Sequence, residues 1–178
     1  PPKLKKLCEP LLPMQFNDLY CLNRPQVHTL SCGAAKPSDF DLHLAALEHY
    51  DNIPDVIDRI EKQLRDEMES VLGADWCARW SERLPHYVDV PGEINIIEIL
   101  RLWTYAKGLD MTEWGKMRYN LLGQADHWFP GETGAKLDAD TVAPVIENSP
   151  FAGQIPGILG EAHTMLFDQE QNRLSQSE

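Results

Sequence analysis

GEINIIEILRLWTYAKG, residues 92–108, is the most apolar run in the chain, and its reading decides the fold. Ile96, Ile97, Leu100, Trp103 and Ala106 recur at helical intervals, and Ile94, Ile99 and Leu102 widen the apolar face. The β-branched isoleucines favour a strand locally, but strict two-residue alternation is missing. The length of the run and its closing Lys107-Gly108 predict a helix. A helix that is apolar nearly all round belongs in the middle of a bundle. Asn95, Glu98, Arg101 and Tyr105 gather on a narrower stripe, where Glu98 and Arg101 are i,i+3 neighbours. The expectation is a core helix with a polar edge, in which a buried Glu98 carboxylate needs a partner.

Working outward on the N-terminal side, residues 54–72 form the clearest amphipathic pattern. Val56, Ile57, Ile60, Leu64, Met68, Val71 and Leu72 draw one stripe, with Pro54 placed for the first turn and Gly73 for the stop. Asp55–Arg59, Asp58–Lys62, Glu61–Arg65 and Lys62–Asp66 lace the other face at i,i+4, each pair contributing about 0.2–0.5 kcal/mol. A helix near 38–50 precedes it. Ser38 is expected to cap that helix, with Asp39 and Asp41 in its first turn, and Phe40, Leu44 and Leu47 fall at helical spacing. Residues 74–84 form a shorter helix in which Trp76 and Trp80 share a face and Asp75 is a candidate cap.

On the C-terminal side, Asp110 and Glu113 resemble a capping box and open a helix expected to run to Ala125. It carries Met111, Trp114, Met117, Leu121 and Leu122 inward. A short helix is expected around TVAPVIEN, residues 141–148, and a last one over 156–173. The fold class is therefore all-α, a compact domain of six or seven helices over residues 38–174. Residues 1–37, broken by prolines, are expected to form an irregular arm that packs on the domain or a partner. Residues 175–178 form a frayed tail.

The bulk numbers bound the function. The 178 residues suffice for one domain with a real core. The net charge is −12 and unevenly placed: residues 37–72 carry ten acids against three Lys or Arg. Such a field disfavours nucleic acid and anionic membrane surfaces. No run approaches the roughly 18 apolar residues of a membrane span, and no signal peptide is legible. The chain starts at Pro1 without Met, which leaves a preceding segment open. Cys8, Cys21, Cys32 and Cys77 do not make the dense framework of small secreted domains. Reduced thiols in the cytoplasm are the expectation.

Motifs that carry chemistry are few. Cys8, Cys21, His28 and Cys32 supply donors that suit zinc, but none of the short C-x2-C spacings, so neither a metal nor a cofactor is assigned. Asp39, Asp41 and His43 make D-x-D-x-H, where the acids serve the helix dipole. No E-x-x-H, H-E-x-x-H, G-x-S-x-G, phosphate-binding loop or dinucleotide fingerprint occurs. Cys77, between two tryptophans, reads as a packed thiol.

The leading functional expectation is an acidic, regulatory protein-binding module: an inhibitor, immunity factor, adaptor or assembly factor with a basic protein partner. It would act through its arm and through Asp55, Asp58, Glu61, Asp66 and Glu69. Trp128 and Phe129, before Pro130-Gly131, are the candidate aromatic anchor. One alternative is an all-α enzyme without a linear motif, its site drawn from His43, His49, Glu98, His127 and His163. Another is a structural subunit of a larger assembly. No catalytic residue is nominated.

Overall fold

A computed structural model describes residues 1–124 and 129–168. Its regular elements among the described residues are helical, and an isolated bridge pairs the extended backbone of Ile94 with that of Glu132. The all-α class is thus observed. No helix among the described residues is long and apolar enough to cross a membrane. The chain divides into two compact units, Pro1–Glu67 and Met68–Glu178. The boundary expected at 37/38 lies inside the first.

In the first unit, the expected irregular arm contains two helices, α1 (Pro2–Leu7) and α2 (Pro13–Leu22). Pro10 does interrupt the chain between the two helices, but Pro13, expected to break it as well, starts α2; like Pro2 in α1 it occupies a first-turn position, where a missing N–H leaves no bond unmade. Residues 8–12 and 23–37 stay without a helix. Next come α3 (Ser38–Ala46), a 3₁₀ segment (Leu47–Asn52) and α4 (Ile53–Leu72). Cys8, Leu11, Leu19, Ala46, Ile53, Ile57 and Ile60 form the core of this unit. The arm thus supplies part of a core instead of lying across one.

Two local details differ from expectation. Ser38 makes no cap; Asp39 Oδ2 accepts the amides of Ala35 and Lys36 at 2.9 and 3.1 Å, securing the chain just ahead of α3. Of the expected ladder on α4, Lys62–Asp66 forms at 2.5 Å, whereas Arg59 donates to the Glu9 carbonyl at 2.7 Å. A carbonyl beyond the end of α1 offers that guanidinium a fixed acceptor, which an exposed i,i+4 carboxylate does not.

The second unit is organised by α6 (Ile96–Leu109), the opening stretch. Nine of its fourteen residues are buried. Asn95 starts it: its Oδ1 accepts the Glu98 amide at 3.0 Å, and its Nδ2 donates to the Pro130 carbonyl at 2.7 Å. Asp110, left-handed at φ 56°, ends it, so this residue closes one helix instead of capping the next. Helices α5 (Ala74–Arg79), α7 (Thr112–Tyr119), α8 (Ala139–Val142) and α9 (Ile155–Leu166) complete the unit with short 3₁₀ turns. Asp75 does not cap α5; it pairs with Arg79 at 2.9 Å.

Helix α7 stops at Tyr119, short of the expected Ala125. Asn120 explains the stop. Its Nδ2 donates to the Lys116 and Leu166 carbonyls at 2.7 and 3.0 Å, and its Oδ1 accepts the Asp168 amide at 3.1 Å. One buried amide group thereby closes α7 and holds the end of α9. Gly115 lets these helices approach, because a Cβ there would lie 2.9 Å from Leu166 Cδ2. The last helix stops at Leu166, where Phe167 turns extended, short of the expected 173; residues past 168, with the tail at 175–178, fall outside the described residues.

Candidate functional site

Phe40, Leu44, Leu47 and Tyr50 form an exposed apolar line along α3 and the 3₁₀ segment that follows it. Their exposures are 50, 63, 49 and 56%. Within α3 the spacing is i,i+4. In the 3₁₀ segment, where three residues complete a turn, Leu47 and Tyr50 eclipse each other and continue the line. The apolar spacing that predicts this helix therefore marks its outer side. The side turned to α2 is built from small and mixed residues instead: Ala46 is buried, and Leu42, His43 and Ala45 are half-buried.

Acids accompany this line. Asp41, Glu48, Asp51, Asp55 and Asp58 are all exposed. Asp55 and Asp58 pair with no cation among the described residues, since Arg59 donates to the Glu9 carbonyl and Lys62 pairs with Asp66. The other acids expected at an interface are placed differently. Asp66 is exposed but tied to Lys62, and Glu61 and Glu69 are half-buried. Phe129 is half-buried against the core of the second unit, with the Arg118 guanidinium 5.1 Å from its ring centroid. Trp128 and His127 lie outside the described residues.

A second feature of the first unit was not legible in the sequence. Asp18, on α2, has a side chain only 8% exposed. Its Oδ2 lies 2.5 Å from His43 Nδ1 on α3. Cys32, in the segment joining the two helices, stands close by: one donor atom from each of Asp18, Cys32 and His43 lies within 4.8 Å of the others. The three border a cavity of about 320 Å³ that Met14, Asn17, Leu30, Ser31 and Gly33 also line. The one sequence signal was a carboxylate at an inward position of α2, which demands a partner. Nothing in the sequence shows that a residue 25 positions later supplies it.

Of the remaining candidates, Glu98 and His163 have structural partners. Glu98 accepts two bonds from Arg101, at 2.9 and 2.6 Å, as the polar-edge reading expects. That paired carboxylate holds the Arg101 guanidinium above its ordinary pKa. His163 Nδ1 is hydrogen-bonded to the Tyr119 hydroxyl at 2.8 Å. Cys8 is buried in the first core, and burial pushes its thiol up. Cys77 is half-buried and likewise raised, by burial and then by the Glu69 carboxylate. Neither is an activated thiolate. His28 is exposed and His49 half-buried. Of the sequence-derived set Cys8, Cys21, His28 and Cys32, only Cys32 belongs to the cluster of possible ligands.

No protein family, characterised protein or solved structure matches this chain. Its own geometry defines the class: an all-α protein with an exposed apolar line in an acidic helical segment and a polar pocket beside it.

Proposed function

We propose that this protein is a protein-binding module that takes a basic amphipathic helix of its partner along Phe40, Leu44, Leu47 and Tyr50. The single observation that carries the reading is that exposed line at helical spacing. Four large apolar side chains in register, each about half exposed or more, offer the i, i+3/i+4, i+7 anchor pattern of helix recognition. The surrounding acids select the partner's charge. The segment 37–72 carries ten acids against three Lys or Arg, so a helix with Lys or Arg flanking its apolar face is matched and an acidic one repelled. Asp55 and Asp58 are the acids free to contribute. An inhibitor, immunity factor, adaptor or assembly factor would use such a surface in the same way.

The test is fluorescence anisotropy with a labelled helical peptide bearing Leu at i, i+3, i+4 and i+7 and Lys elsewhere. Binding to the full chain is expected, weakened at least about tenfold by Leu44→Asp, since charge at a buried anchor costs more than 1.4 kcal/mol. The same peptide with Glu in place of Lys is expected not to bind. Equal binding by Leu44→Asp, or by the Glu peptide, would sink the reading.

A further inference from the structure

We propose that Asp18, Cys32 and His43 form a binding site for a divalent transition metal, with Zn²⁺ the ion that their donors suit. Carboxylate, thiolate and imidazole are the three protein donors of tetrahedral zinc centres. Their ligand atoms already lie within 4.8 Å of one another. Bonds of about 2.0–2.3 Å place tetrahedral ligands roughly 3.3–3.8 Å apart, so small side-chain shifts close the site. The Cys32 thiol loses its proton on binding, which makes affinity rise with pH.

Two further observations point the same way. His43 Nε2 is buried and has no hydrogen-bond partner. A buried donor or acceptor left unmade is costly, and a ring with one empty nitrogen presents either nitrogen to an ion without losing a second bond. The donors also border a cavity of about 320 Å³ with Asn17 and Ser31 in its wall. Three protein ligands and an open side form the arrangement of zinc sites that keep a position for water or a small ligand. No linear spacing along the chain marks this metal site. The donors come instead from α2, α3 and the segment between them, at no recognisable spacing.

Bound metal would tie α2, α3 and Cys32 together, and α3 carries Phe40 and Leu44. The site stands independently of the helix-docking reading, because its test requires no partner.

The test is Co²⁺ titration of the chelator-treated full chain, followed by Zn²⁺ competition. A near-ultraviolet thiolate-to-cobalt band with tetrahedral visible absorption is expected, and Zn²⁺ should displace it. Cys32→Ser should abolish the band, while Cys21→Ser and Cys77→Ser should retain it. Asp18→Asn and His43→Gln should each weaken binding at least about tenfold, with circular dichroism reporting whether they fold. Cys32 is exposed, so Cys32→Ser decides the matter even if the buried-residue variants unfold. No band in the wild type, or a band that survives Cys32→Ser, overturns the proposal. Rapid Cys32 alkylation without metal binding does so too, and would define a thiol–imidazole pair instead.

Discussion

The Tyr119 hydroxyl is hydrogen-bonded to His163 Nδ1 at 2.8 Å and accepts the Gly134 amide at 2.9 Å. One fully buried oxygen thus links α7, α9 and the 3₁₀ turn at Gly134–Lys136. Tyr119→Phe leaves the Gly134 amide unpaired in the interior, at a cost of about 1–3 kcal/mol. Urea unfolding followed by circular dichroism checks this, and an unchanged midpoint would contradict it.

The same hydroxyl predicts an alkaline transition. Burial pushes Tyr119 up to about 12, against the smaller opposing effects of the Gly134 amide and Thr133. The folded state therefore holds its proton while the unfolded chain loses one above its ordinary value near 10. Stability is full below pH 10 and falls between pH 10 and 12, by on the order of 2–3 kcal/mol. In Tyr119→Phe this component of the decline should vanish. Parallel alkaline slopes for both proteins would contradict it.

A second buried bond runs from Trp76 Nε1 to Thr104 Oγ1 at 3.0 Å. Thr104→Val keeps the shape but leaves the indole N–H without its acceptor, costing about 1–3 kcal/mol. In a Trp76→Phe background the same change should cost about 1 kcal/mol less, because no donor is left stranded. Additive costs would show that the bond contributes nothing.

Gly131 sits at φ +85°, and a Cβ there would lie 2.9 Å from the Glu93 carbonyl oxygen. Glu93 and Asn95 exchange backbone bonds with Glu132 at 2.9 and 3.0 Å, which sets the entry to α6. Gly131→Ala combines a left-handed backbone cost of about 1–2 kcal/mol with that clash. Gly153→Ala, with nothing within 4 Å, should change stability by less than about 0.5 kcal/mol. Thermal melts that rank the two variants the other way would refute this.

The apolar residues of α3 and α4 should respond in opposite ways. Leu44, 63% exposed, should tolerate Leu44→Gln within about 0.5 kcal/mol. Ile57 is fully buried, and Ile57→Ala should cost about 2–5 kcal/mol. Denaturant unfolding separates them, and a large loss for Leu44→Gln would place that side chain in a core.

The sequence by itself determined that the chain is helical and that residues 96–109 are a core helix, because an apolar face nearly all round has one stable place. It also determined the Glu98–Arg101 edge, since partners three residues apart meet on any helix. Proline is ambiguous at residues 1–22: Pro13 breaks a preceding pattern and begins a following one with equal ease, and only Cys8, Leu11 and Leu19 reaching a common core decides between them. Tertiary structure alone decided the rest. Whether Phe40, Leu44 and Leu47 face in or out depends on which side of α3 meets α2, and helical spacing is identical in both cases. The Asp18–Cys32–His43 cluster was likewise invisible, because its donors are neighbours only after α2 and α3 pack, and no local rule relates residues 25 positions apart.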